Sequence, residues 1–96
     1  MKHHIPDKVF RDITNIASKY AINRVVLFGS RARGTNSERS DIDLAVQGTE
    51  FDLFEEDIRE NAHSLLMFDI VDLDSNISDD LKSEIERDGV ILYEKN

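Results

Sequence analysis

Two aspartates stand two residues apart in the segment Asp41-Ile42-Asp43-Leu44. On a strand, a period of two puts both carboxylates on one face. Charges of one sign that close together repel unless a cation lies between them. A hard divalent ion such as Mg²⁺, which combines a few carboxylates with substrate phosphates, meets that need. Upstream, Gly29-Ser30 follows an apolar run and opens a short polar turn. Glycine lets the backbone approach a ligand closely, and free N–H groups at a helix start attract phosphate. Arg31, Arg33 and Arg39 lie between the turn and the carboxylates. Each feature alone has a plainer reading as a common turn, a solvated strand edge or solvent-facing arginines. Their arrangement in one short window is what points to chemistry on a metal-bound phosphate.

The elements that must position this window follow from periodicity. Pro6 and Asp7 open a helical pattern, with Pro suited to a first turn. Val9, Phe10, Ile13, Ile16, Ala17 and Tyr20 then recur at steps of three and four. Val25-Val26-Leu27-Phe28 is too short and too β-branched for a helix and reads as a buried strand ending at Gly29. Residues 30–40 form a short helical turn and a loop. Asp41 to Val46 is a second strand, ended by Gly48. Thr49 and Asp52 are spaced as a helix cap, and Phe51, Phe54, Ile58, Ala62 and Leu65 give the following helix its apolar stripe. Phe68 to Leu73 is a third strand. Ser78 caps a last helix running to about Asp88, Gly89 stops it, and Val90 to Tyr93 is the fourth strand. The order α-β-(α)-β-α-β-α-β predicts an α/β (α+β) domain with one sheet layered against helices.

Composition bounds the function. A chain of 96 residues with 40% hydrophobic and 33% charged residues makes one domain, here 1–96, with a modest core. It has no cysteine, so thiolate metal sites and disulfides are excluded. No apolar run approaches the roughly 20 residues of a membrane span, and the start lacks a secretory pattern, so no membrane partner is expected and the location is read as cytoplasmic. His3 and His4 are read as a frayed terminus without metal, and His63 as a surface residue. The net charge is −8, unevenly spread: residues 1–50 carry 8 basic and 6 acidic side chains, residues 51–96 carry 4 basic and 14 acidic. That balance argues against nucleic acid as a partner, since such binding rests largely on phosphate neutralisation. Small anions near the first half and a cationic partner near the second are compatible with it.

Gly29-Ser30-Arg31-Ala32-Arg33-Gly34 followed by Ser40-Asp41-Ile42-Asp43-Leu44 resembles the core motif of the minimal nucleotidyltransferases, a branch of the DNA polymerase β-like superfamily. The resemblance covers nearly the whole chain. It implies a four-stranded mixed sheet with helices mainly on one face and the carboxylates on the other. It also implies a third carboxylate on the strand after the next helix, where the chain offers Asp69, Asp72 and Asp74. Asp69 is preferred. It lies within the apolar run Phe68-Asp69-Ile70-Val71, where a carboxylate without a cation is costly, and Asp72, three residues on, points to the opposite face. A bulge would exchange the two.

The mechanism implied is two-metal nucleotidyl transfer with ATP as donor. Asp41 and Asp43 would hold the metal at the triphosphate, and Asp69 would join them around a second Mg²⁺. Gly29 and Ser30 would bind the β/γ phosphates, and Arg31 or Arg33 would neutralise the leaving pyrophosphate. Larger superfamily members carry a helical domain for the base and acceptor. The resemblance implies instead a separate small helical protein, either a substrate-binding-like subunit or a HEPN-type toxin. In such pairs the nucleotidyltransferase is the antitoxin, and some members transfer AMP to a tyrosine of the toxin. The alternative is a non-catalytic module that neutralises a toxin by contact.

Overall fold

The computed structural model describes residues 4–95, so His3 lies outside the described residues. Four helices and four strands alternate as expected: α1 (Asp7–Lys19), β1 (Ile22–Phe28), α2 (Ser30–Arg33), β2 (Ile42–Gly48), α3 (Phe51–Asn61), β3 (Phe68–Asp72), α4 (Asp79–Asp88) and β4 (Val90–Glu94). The sheet order is β3-β2-β1-β4. β1 pairs antiparallel with β2 and with β4, while β2 and β3 run parallel. A parallel pair needs a crossover, and α3 supplies it. The result is the mixed four-stranded sheet that the motif resemblance implies.

The alternation of side chains divides the two faces. Val25 and Leu27 on β1, with Ile42, Leu44 and Val46 on β2, join Val9, Ile13, Ile16 and Ala17 of α1 and Phe54 and Ile58 of α3 in the main core. Phe54 is fully buried, and its truncation to Ala would cost about 3–5 kcal/mol. The carboxylate of Asp57 locks α1 to α3: it accepts from Tyr20 Oη and Asn61 Nδ2, each at 2.7 Å, and pairs with Lys19 Nζ at 2.7 Å.

The opposite face carries Val26, Phe28 and Ala45. α4 lays Ile85 against them, so helices cover the main face and α4 covers part of the second. Ser78 caps α4 as expected, its Oγ accepting from the Leu81 N–H at 3.2 Å. Two local expectations fail. The residue before α3 is Glu50, which makes no side-chain cap; its carboxylate instead accepts from the Ala21 N–H at 2.7 Å. The apolar stripe of α3 stops at Ile58 and Ala62, because the helix ends at Asn61 and Leu65 stands fully exposed. No helix among the described residues is long and apolar enough to cross a membrane.

Candidate active site

β1 runs straight into the turn. Gly29 takes φ 75° and ψ −156°, a backbone region essentially reserved for glycine. This sharp bend lets α2 start at once, with the Ala32 and Arg33 N–H groups closing on the Gly29 carbonyl at 3.1 and 3.2 Å. Gly34 ends the turn in the left-handed region at φ 80°. Phe28, the last residue of β1, is the register partner of Asp43 on β2. A Cβ placed on Gly29 would run into Asp43 Oδ2, so the glycine is what lets the turn lie against this carboxylate.

Asp43 is in turn the register partner of Asp69 on β3. Neighbouring strands lie roughly 4.8 Å apart, and in parallel register the two side chains leave the sheet on the same face. That face is the one bearing Ala45, and on it Asp69 is exposed and Asp43 only partly covered. Neither carboxylate accepts a hydrogen bond among the described residues. Asp43 is half-buried, and its carboxyl is pushed up to about 6 by burial first, then by the charges of Asp69, Asp41 and Glu84, against a smaller opposing effect of Arg33. Asp41 is exposed one pleat before Asp43, at the mouth of β2. Asp72 is engaged elsewhere. Its Oδ1 accepts from the Asp74 N–H at 2.9 Å and shapes the turn after β3.

The structure therefore brings Gly29, Ser30, Asp43 and Asp69 together, with Asp41 within electrostatic reach. Among the described residues no group of three or more acidic, histidine or cysteine side chains is gathered closely enough to hold an ion as it stands. The donor set nevertheless suits Mg²⁺. It is all oxygen and free of competing hydrogen bonds among the described residues, and burial, followed by the neighbouring acidic charges, holds the Asp43 carboxyl well above the usual carboxylate range. The Ser30 hydroxyl also has no partner among the described residues.

The two arginines of the motif part company. Arg31 is 4% exposed. Its guanidinium donates to the carbonyls of Ser40 at 3.0 Å, His4 at 2.8 Å, Glu38 at 3.1 Å and Ser37 at 3.4 Å. It fastens the 36–40 loop and the start of the chain, and its donors are spent on backbone. His4 is correspondingly held: its carbonyl serves Arg31 and its ring packs over Gly34. Arg33 instead reaches the open face, pairing with Glu84 at 3.3 Å and Asp88 at 3.9 Å on α4. Those two acids lie four apart on one helix face and hold Arg33, and Glu84 also adds to the charge that acts on Asp43. Sequence reasoning missed them, although their i, i+4 spacing was visible. His63 is exposed, as read, and its backbone N–H and ring both meet the Asp12 carboxylate.

A sheet of this topology with a glycine-serine turn against paired carboxylates defines a nucleotidyl-transfer domain. The chain matches the family described as Polymerase beta, Nucleotidyltransferase over residues 11–96, and it belongs to that family. Among solved structures, it is similar to a toxin–antitoxin with AMP-PNP at 26% identity and a TM-score of 0.72, covering 91% of this chain and 74% of that one. It is also similar in fold to a mutant of the toxin–antitoxin MntA-HpeT, at 24% identity and a TM-score of 0.71 over 91% of this chain and 74% of that one. A putative nucleotidyltransferase from Sulfolobus solfataricus shares the fold at 19% identity and a TM-score of 0.51, over 93% of this chain and 86% of that one. No curated protein matches. These likenesses agree with the minimal nucleotidyltransferase branch that the motif resembles.

Proposed function

We propose that the chain transfers AMP from ATP, with Mg²⁺, to a hydroxyl of a small helical partner protein, and that it serves as the antitoxin of a pair with a HEPN-type toxin. The observation that carries this reading is the Asp43–Asp69 pair beside the Gly29-Ser30 turn, free of hydrogen-bond donors among the described residues, with Asp69 exposed. The similarity to a toxin–antitoxin with AMP-PNP supports the nucleotide and the partner class. Dependence on ATP suits a cytoplasmic location.

In this reading Asp41 and Asp43 would hold the ion that accompanies the triphosphate, and Asp69 would join them around a second. When bound, such ions neutralise charge and lower the pKa of an attacking hydroxyl. Ser30 and the adjoining backbone orient the β and γ phosphates. Arg33, exposed between Glu84 and the open face, offsets charge on the departing pyrophosphate. The acceptor oxygen bonds to the α-phosphorus as the bond to the bridging oxygen breaks; pyrophosphate leaves and the hydroxyl proton passes to water. Arg31 has no part in this beyond holding the loop that leads to Asp41.

Incubation of the chain with labelled ATP, Mg²⁺ and the product of the neighbouring gene, followed by mass spectrometry of both proteins, tests the reading. AMP on the partner, lost with Asp43→Asn, is the expected result. A partner that is neutralised equally by wild type and Asp43→Asn, without modification, would replace transfer by neutralisation through contact.

A further inference from the structure

A cleft of about 430 Å³ opens beside the carboxylates, lined by Arg39, Asp41, Leu65, Leu66 and Met67. Leu65 is fully exposed and Met67 is 68% exposed. Large apolar side chains displayed next to a polar rim mark a place where another molecule sits. The ledge is not a loose loop: the Ile42 N–H donates to the Met67 carbonyl at 2.9 Å, so it is stitched to the residue between Asp41 and Asp43. Ile42 and Phe68 are register partners. Continuing that register by one residue sets Met67 beside Asp41, as Asp69 sits beside Asp43. Met67 and Asp69 are two apart, so a continued strand turns both to one face.

The sheet order gives the cleft a direction. Gly29 and Ser30 lie at the end of β1, on one side of β2; Asp69 and the ledge lie with β3 on the other. Phosphoryl transfer keeps the attacking and leaving oxygens roughly in line through phosphorus. With the pyrophosphate held on the β1 side, the acceptor must arrive from the β3 side, over Leu65 and Met67. Arg39 on the rim is exposed and has no partner among the described residues, in a chain whose surface is mostly acidic.

Resting on the nucleotidyl-transfer reading, we infer that the Leu65–Met67 ledge is the dock for the acceptor protein. The occupant is the helical segment that bears the acceptor hydroxyl, inserting one apolar side chain into the cleft and presenting a carboxylate to Arg39. The ledge supplies apolar burial and position; Asp43 and Asp69 supply the chemistry. A nucleobase is the competing occupant, and it would sit there only if the triphosphate ran across β2.

The test uses the whole chain and the neighbouring gene product. Leu65→Ser/Met67→Ser changes only exposed side chains, and Arg39→Glu is an independent second variant. The melting temperature and Mg²⁺-ATP affinity should match wild type, while partner affinity and kcat/KM for transfer fall at least tenfold in each variant. For Arg39→Glu the loss should shrink at high salt. Partner affinity and transfer within twofold of wild type would overturn the dock. So would a tenfold loss of ATP affinity with partner binding kept, which would assign the ledge to the nucleobase, or a wild-type chain that does not bind this protein at all. A wild-type chain that binds the partner but transfers no AMP defeats the catalytic reading alone; the variants' binding affinities then still decide the dock.

Discussion

Asp43 occupies the space that a side chain at residue 29 would need: a Cβ on Gly29 collides with Oδ2 and lies 3.1 Å from Cγ of that aspartate. The turn that would hold donor phosphates and a carboxylate that would hold their counter-ion thus share one contact surface. The approach of the two is set by a hydrogen atom in place of a side chain.

Gly29→Ala should therefore fail twice. The backbone strain alone is about 1–3 kcal/mol, and Asp43 must also move aside. The expected outcome is a lowered urea midpoint together with loss of Mg²⁺-ATP binding. Gly34→Ala offers a comparison, since its Cβ would sit 3.0 Å from His4 Nε2, the far end of a side chain that can shift. That variant should lose about 1–2 kcal/mol from left-handed strain and keep nucleotide binding. Urea titrations and ATP binding on both variants check the contrast.

The raised carboxyl of Asp43 makes the metal-free fold sensitive to pH. Its pKa is pushed up to about 6, above the ordinary aspartate value of 3.8 that the unfolded chain shows. The folded state thus holds a proton that the unfolded state releases. The resulting stabilisation is full below pH 3.8 and is lost as pH rises through about 6. Because the group is partly solvated, the loss should be about 1 kcal/mol, well under what a dry carboxyl would give. Urea unfolding without metal at pH 5 and pH 7.5 should show that difference in wild type and not in Asp43→Asn. Mg²⁺ should restore stability more at the higher pH, since it binds the deprotonated form.

The two motif arginines should separate by stability. Arg31→Ala removes a buried cation and leaves four carbonyls short of a donor. About 3 kcal/mol is expected, with an earlier loss of hydrogen-exchange protection around Ser37 to Ser40. Arg33→Ala breaks only exposed pairs to Glu84 and Asp88 and should cost under about 1 kcal/mol. If Arg33 serves the pyrophosphate, that variant lowers kcat with little change in melting temperature. Thermal melts and transfer rates read side by side decide it.

The window from Gly29 to Asp43 was legible because its logic is local: a bend, a turn and a period of two. The preference for Asp69 over Asp72 rested on its place in an apolar run and on strand parity; the register of β2 with β3 sets Asp69 beside Asp43, although Asp69 is exposed rather than buried. The direction of Arg31 was not legible. Its partners are carbonyls of residues 4 and 37–40, brought around it only by the folded loop. Nor does an amphipathic pattern say which sheet face a helix covers, so α4 and its Glu84 beside Asp43 could not be placed. Leu65 misled for a related reason: it continues the spacing of α3, but the helix has already ended at Asn61.

Asp69 and Asp72 should behave oppositely when each is replaced by asparagine. Asp69 has no hydrogen-bond donor among the described residues and lies exposed beside Asp43, so Asp69→Asn should leave the fold intact and remove charge where the attacking hydroxyl would be activated. The Asp72 carboxylate is occupied by the Asp74 N–H, a bond that asparagine's Oδ1 can still accept. Mg²⁺ with ATP should stabilise wild type by about 2.7 kcal/mol at 100-fold over the dissociation constant. Asp43→Asn should lose most of that shift. Asp69→Asn should keep most of it and lose about 100-fold or more in kcat, the scale on which activating a hydroxyl matters. Asp72→Asn should keep both the shift and the rate. Thermal melts with and without Mg²⁺-ATP, paired with single-turnover transfer to the partner protein, distinguish the three. A rate that collapses in Asp72→Asn and survives in Asp69→Asn would move the third carboxylate to the end of β3.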